Sequence, residues 1–387
     1  MNHTKLTVLI QFLNSFISGV LTIALPLLMK ERNIDIITIG LIFACLPMIF
    51  QLTRMLFAVV SDFLGRKLFF VLNGFLNIFS SAVYYLAYTP LQFLLGKVTE
   101  GTKSASLWAV NRAFLLEESS GRTKALVHLR TSAFVSMAVG SLLAGVLITS
   151  FYFTNTVLLC AVVGAMVIPT SLLLTERKKR SGFSKKGALH FLDLRKKEKM
   201  FRFFFVLFFV MGLSFGFKGG YVFPLFLEEN RFDADAIGVF IGVQTLLAGL
   251  SLYLFSTKAK LEKLILLSGF LYSLFLLSLV FSGHLSAAFL VVMFGFADGL
   301  VGGGSERILA KITREKSYGT DIGLLMMGLH AGTTISLAMS GFLIAMWGFA
   351  LPFLSSALIF PIFYVSTYFL LKQQRLDKIK TLGFGKS

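Results

Sequence analysis

About twelve apolar runs, each long enough to cross a lipid bilayer and separated by short polar connectors, restrict this chain more than any other feature. A bilayer offers the backbone no hydrogen-bond partner, so a crossing segment closes its bonds internally, and about 20 mostly apolar residues do so as a helix. The runs fall at roughly 7–29, 36–60, 68–88, 91–116, 125–150, 155–174, 203–227, 235–256, 262–282, 285–310, 319–346 and 350–371. The first, from Leu6 to Leu28, is too long for the apolar core of a signal peptide and lacks a cleavage site, so it reads as a span. Mean hydropathy is +0.80. Hydrophobic residues fill 56% of the 387 positions, above the roughly 45–50% of soluble domains. The expectation is an all-α membrane protein of about twelve transmembrane helices, with the lipid bilayer as its first partner.

Basic residues outnumber acidic ones 37 to 19. In a soluble chain that surplus points to nucleic acid; here it sits in connectors, where it orients the chain instead. Arg66, Lys67, Arg122, Lys124, Lys258, Lys260, Arg314 and Lys316 mark one side, with Arg177-Lys178-Lys179-Arg180, Arg195-Lys196-Lys197 and the tail of Lys372, Arg375, Lys378 and Lys380. The opposite loops hold Lys30, Arg32 and Arg231 beside Glu228, Glu229, Asp233 and Asp235. The positive-inside rule puts both termini and the 175–202 connector in the cytoplasm; a plasma (inner) membrane and no nucleic-acid partner are the accompanying expectations.

The chain repeats itself at a spacing of 198 positions. Pro26 pairs with Pro224, Asp35 with Asp233, Gly40 with Gly238, Glu100-Gly101 with Asp298-Gly299, Glu117 with Glu315, Ser119 with Ser317 and Gly121 with Gly319. One offset shared across several spans implies two six-helix halves related by a parallel pseudo-two-fold repeat, the construction of many secondary transporters. The divisions are an N-terminal half at 1–174, a basic cytoplasmic linker at 175–202, a C-terminal half at 203–372 and a tail at 373–387. The linker reads as a solvated hinge. Cys45 and Cys160 both lie in apolar runs and read as packing residues, with no disulfide framework or metal spacing.

Between the second and third spans, Ala58-Val59-Val60-Ser61-Asp62-Phe63-Leu64-Gly65-Arg66-Lys67 resembles the major facilitator superfamily signature G-x-x-x-D-(R/K)-x-G-(R/K)-(R/K). Asp62, Gly65, Arg66 and Lys67 match, while Ala58 and Phe63 depart from it. Leu116-Glu117 through Gly121-Arg122 is also similar to the family. The resemblance implies a cytoplasmic gate of Asp62, Gly65, Arg66, Lys67 and Glu117, with Asp62 facing the positive N-terminal end of the eleventh span and Arg66 pairing with Glu117. The corresponding loop of the second half, Ser256 to Leu264, carries Lys260 in place of the acid, so the gate is expected to be asymmetric. Gly140 and Gly145 lack the following Pro of the family's drug–proton antiporters.

Ionisable residues inside a span cost on the order of 2.5–3.5 kcal/mol and need a partner or an aqueous cavity. The fourth span carries Lys97, Glu100 and Lys103, with Ser104 and Asn111 sharing a face with Glu100. The tenth carries Asp298 ahead of Gly302-Gly303-Gly304, and the seventh has Lys218 among Gly216, Gly219 and Gly220, near Ser214 and Tyr221. The first presents Gln11, Asn14, Ser15, Ser18 and Thr22. The family resemblance implies that spans 1, 4, 7 and 10 line one central cavity. Two readings stand. In one, Glu100 or Asp298 exchanges a proton while Lys97, Lys103 or Lys218 binds an anionic group; in the other, Lys97–Glu100–Lys103 is a static network and Asp298 pairs with Lys218. Asp298, with no lysine a turn away on its own helix, is the better proton carrier. His330, beside Thr333 and Thr334, is a further relay candidate. Arg54, Arg112 and Arg130 read as snorkelling or gate residues.

H-E-x-x-H, G-x-S-x-G and Walker A patterns are absent from the sequence, so neither an intramembrane enzyme nor an ATP-driven pump is expected, nor a cofactor or metal. The reading is a monomeric secondary transporter of a small solute by alternating access, proton-coupled, with cations favouring an organic anion. Efflux of amphipathic compounds and a non-transporting sensor are the alternatives.

Overall fold

The structure is a computed structural model describing residues 3–118, 122–175, 194–255, 259–313 and 318–383, and the elements among them are helical. In chain order they are α1 (His3–Glu31), α2 (Ile36–Leu64), α3 (Lys67–Tyr85), α4 (Pro90–Glu118), α5 (Arg122–Leu172), α6 (Lys199–Lys218), α7 (Val222–Glu229), α8 (Ala234–Phe255), α9 (Leu261–Val280), α10 (His284–Ile312), α11 (Tyr318–Trp347) and α12 (Ala350–Gly383), with a 3₁₀ turn at Leu194–Lys196. Large apolar side chains lie outside as well as inside. On α2, Leu41, Met48, Leu52 and Leu56 form an exposed stripe, whereas Ile39, Ile42 and Phe43 are buried. An apolar outer stripe on helix after helix is what a hydrocarbon solvent selects. This is an integral membrane protein.

Ten helical stretches among the described residues are long and apolar enough to cross a membrane. Helix α4 is absent from that group because it carries Lys97, Glu100 and Lys103. Helix α5 counts once although its 51 residues, if straight, would measure roughly 75 Å, against a hydrocarbon core of ~30 Å. Its run is interrupted at Tyr152, with φ 64° and ψ 162°, so the chain turns there into two arms, 122–151 and 153–172. Where one continuous span is expected at 203–227, the helix breaks at Gly219-Gly220 between α6 and α7. Gly220 sits at φ +61°, a conformation that costs an L side chain roughly 1–2 kcal/mol. A Cβ there would also lie 3.1 Å from both Leu337 and Phe43. Gly220→Ala is therefore expected to destabilise the protein by about 1–2 kcal/mol, read as a lower melting temperature of the purified protein.

The α1–α2 and α7–α8 turns share one hydrogen-bond pattern. Arg32, Asn33, Ile34 and Ile39 donate their backbone N–H to Leu28, Lys30, Met29 and Asp35; Asn230, Arg231, Phe232 and Ile237 donate to Phe226, Glu228, Leu227 and Asp233. Asn33 and Arg231 both take positive φ, 57° and 64°. Asp35 caps α2 by accepting from Thr38 N–H at 2.9 Å, and Asp233 accepts from Ala236 N–H at 2.9 Å. The Thr38 side chain and backbone hold the Asp35 carboxyl below the usual carboxylate range.

Helices α1–α5 pack largely on one another, as do α6–α12. Two seams join the sets, α2 with α11 and α5 with α8. Both are closed by glycine near the α1–α2 and α7–α8 turns: a Cβ on Gly341 would lie 2.7 Å from Ile36 O, and one on Gly145 would lie 2.5 Å from Ala234 O. Small residues permit that approach of backbones in a bilayer, where dispersion and not water holds helices together.

Candidate functional site

Among the described residues, the ionisable side chains singled out on the fourth, seventh and tenth spans form two ionic clusters, one in each set of helices. On α4, one turn of helix brings Lys97 Nζ to 2.9 Å from Glu100 Oε2. Tyr84 of α3 donates its O–H to the same oxygen at 2.6 Å, and the Lys97 ammonium lies 4.1 Å from the Phe43 ring centre. Lys103, one turn further along, is 1% exposed. Around this row runs an amide network: Asn73 donates to Lys103 O at 2.8 Å, Asn77 to Asn14 Oδ1 at 2.9 Å, Asn111 to Gln11 Oε1 at 2.7 Å, and Gln11 to Ser15 Oγ at 2.9 Å. Ser18 donates to Asn14 O and Ser104 is half-buried. The polar stripe of α1 thus faces α3 and α4, and Glu100 is turned toward α3.

The second cluster forms at the α6–α7 break. Lys218, the last residue of α6, donates to Asp298 Oδ1 of α10 at 2.8 Å. A cation at a helix C-terminus is favoured by the exposed carbonyl ends. Its ammonium lies 5.0 Å from the Phe294 ring centre, 5.3 Å from Phe215 and 5.8 Å from Tyr272, within cation–π range. Tyr272 in turn packs at 4.1 Å on Phe360. The side chains of Lys218 and Asp298 keep 13% and 28% exposure, against 4% and 9% for Lys97 and Glu100. The C-terminal pair is the more open of the two. Glu100 and Asp298 therefore have separate partners, one sealed among α3 and α4, the other at a helix break.

Other residues singled out in the sequence are dispersed. Ser214 exchanges hydrogen bonds with Ser356 of α12, hydroxyl to hydroxyl at 2.7 Å. Tyr221 donates to Leu337 O at 3.1 Å and lies 5.4 Å from the Phe43 ring at the seam. His330 packs edge-on against Phe50 at 5.1 Å. In the signature segment, Gly65 ends α2 at φ 92°, which explains a glycine there. Lys67 donates to Leu172 O at 2.7 Å, capping the second arm of α5. Arg66 is half-buried at the start of α3. The side chains of Asp62, Arg112 and Glu117 lie outside the described residues, so the Asp62 and Arg66–Glu117 contacts do too. At the start of α11, Asp321 pairs with Lys197 at 2.5 Å.

Sequence reasoning passed over several partners. Asn73, Asn77, Ser81 and Tyr84 form one stripe of α3 at spacings of four, four and three, a pattern visible in the sequence but carrying no charge to draw attention. Cross-seam links went unnoticed as well. Lys30 pairs with Glu228 at 2.9 Å, and Thr149 donates to Asp235 at 2.7 Å near the α1–α2 turn. At the other end Arg130 pairs with Glu306, and Gln51 donates to Gly323 O at 3.1 Å.

The family model of the Major Facilitator Superfamily matches residues 7–305. No curated protein matches the chain. Among solved structures, a point variant of the nucleoside transporter NupG is similar in fold, with a TM-score of 0.78 at 14% identity over 96% of this chain and 99% of that one. The NupG structure without that change gives 0.74 at 15% identity over the same shares.

Proposed function

The chain belongs to the Major Facilitator Superfamily of membrane transporters, and we propose that it is a proton-coupled secondary transporter whose switch is the Lys218–Asp298 pair. The observation that carries this is the position of that pair, partly accessible and set at a break in a spanning helix. Discontinuous helices of this kind offer unpaired backbone groups to a substrate or coupling ion. In the proposed cycle, Asp298 neutralises Lys218 while the site is empty. A proton on Asp298 breaks the ion pair, and the freed ammonium receives the anionic group of a small organic solute. The aromatic wall of Phe215, Tyr272 and Phe294 favours the apolar body of such a solute, and equally supports amphipathic compounds as the second reading.

We propose twelve spans in two six-helix halves, counting α4, the two arms of α5, and α6 with α7 as a single broken span. The matched turns at residues 28–39 and 226–237, 198 positions apart, support a pseudo-two-fold repeat. The packing of α1–α5 and α6–α12 supports halves that rock about the α2/α11 and α5/α8 seams. Alternating access then breaks Lys30–Glu228 and Thr149–Asp235 for one face, and Arg130–Glu306 and Gln51–Gly323 for the other. The connector charges favour cytoplasmic termini, we propose a plasma membrane as the site, and Asp62, Gly65, Arg66, Lys67 and Glu117 remain our candidates for the cytoplasmic gate.

The test is uptake in proteoliposomes from a panel of carboxylates, phosphate esters and nucleosides, with and without a pH gradient. The nucleosides enter because NupG, whose fold is similar, is a nucleoside transporter. For an anionic hit, Lys218→Ala is expected to weaken binding roughly tenfold or more, the worth of a charge-assisted hydrogen bond. Its neutral analogue should be unaffected. Equal loss for both ligands would remove Lys218 from substrate contact.

A further inference from the structure

Helix α4 carries two ammonium groups into the interior of α1–α5, and among the described side chains facing them Glu100 is the acid. That carboxylate is already engaged by Lys97 and Tyr84 through one oxygen. Lys103 is left over: fully enclosed, its Nζ makes no hydrogen bond. Its titratable neighbours are Glu100, Cys160 and Lys97, so with both lysines and the carboxylate ionised the row holds a net charge of plus one. A buried charge without a counter-ion, and a buried donor without an acceptor, are each costly enough that proteins rarely leave them so.

Two more enclosed polar atoms without a partner lie on the facing stripe of α3, Ser81 Oγ and Asn77 Oδ1. The register there is set on either side by Asn73 Nδ2 to Lys103 O and Tyr84 Oη to Glu100 Oε2, with residues 77 and 81 between them. A lysine has three N–H donors, enough to serve Asn77 Oδ1 and a second acceptor together, while the Ser81 hydroxyl is a further donor. Water would supply an acceptor but leave the charge.

We propose that α1–α5 enclose a small monovalent inorganic anion between Lys103 Nζ and Ser81 Oγ, the counter-ion of the Lys97–Glu100–Lys103 row. The site is distinct from the Lys218–Asp298 pair and stands whether or not that pair carries transport. It also gives Lys103 a role other than contact with the transported solute.

The probe is chloride, compared with gluconate at equal ionic strength and pH, on the purified full-length protein. The natural protein is expected to melt higher in chloride by roughly 2 °C or more once the site fills. Lys103→Met should melt alike in both salts, and no lower in gluconate than the natural protein, because it removes the uncompensated charge. Ser81→Ala keeps the charge but should shift the chloride midpoint to higher concentration. A natural protein indifferent to the anion, or a Lys103→Met protein that keeps the chloride response, overturns the site; an unchanged midpoint in Ser81→Ala overturns its placement. If Lys103→Met yields no folded protein, Lys103→Gln is read by the same two outcomes.

Discussion

Asp298→Asn is expected to abolish substrate accumulation driven by a pH gradient while leaving counterflow exchange within about threefold of the natural protein, a change worth less than roughly 0.7 kcal/mol. The substitution preserves volume and an oxygen that can accept from Lys218, now at 2.8 Å from the carboxylate. What it removes is the ability to take and lose a proton. Lys218 is then free of a counter-charge in every part of the cycle and holds the substrate anion at any pH. Exchange of substrate against substrate needs no proton, so it survives; concentration against a gradient needs one, so it fails. The natural protein should bind its anion more tightly as pH falls, and the variant should bind with no pH dependence over the same range. Counterflow and pH-driven uptake in the same proteoliposomes separate these outcomes. If the variant accumulates substrate with normal pH dependence, the proton travels by another group and the assignment of Asp298 fails.

Most helices were legible because they are apolar runs long enough to cross a bilayer, and the likeness of the two turns because Asp35 and Asp233 recur 198 positions apart. The break after Lys218 was not read from the sequence, which gave one span at 203–227, because Gly216, Gly219 and Gly220 crowding one turn do not say whether a helix continues, bends or stops. Pairing was harder. Lys218 and Asp298 lie 80 positions apart; their pairing was one of the two readings the sequence offered, and nothing local chose between them. Local spacing did identify Lys97–Glu100, because residues three apart on a helix are neighbours. It could not identify Tyr84, whose phenol reaches Glu100 only because Gly96 admits its ring: a Cβ at Gly96 would lie 2.2 Å from it. Motif reading proposed a gate role for Lys67 but could not supply its contact with the Leu172 carbonyl, which lies 105 positions away.

The sealed N-terminal cluster leads to an expectation opposite in kind to that for Asp298. Glu100→Gln is expected to reduce folded yield and stability sharply, by about 3–5 kcal/mol, the usual cost of removing one member of a buried ion pair. The side chains of Lys97 and Glu100 are only 4% and 9% exposed, so solvent cannot screen the lysine left behind. Glutamine keeps an acceptor for the Tyr84 hydroxyl, so a hydrogen-bonding role alone would predict a much smaller loss. Removing the cation as well should recover much of the stability, because the Glu100→Gln, Lys97→Met double variant carries no orphaned charge at that pair. The Lys97 ammonium also rests over the Phe43 ring at 4.1 Å, so methionine forfeits a cation–π contact, and recovery should stop short of complete by ~1 kcal/mol. Thermal melts of both single variants and the double form the cycle. A coupling energy near zero would mean that Lys97 and Glu100 act independently, and that the α4 row is held by the surrounding amides and not by its own charges.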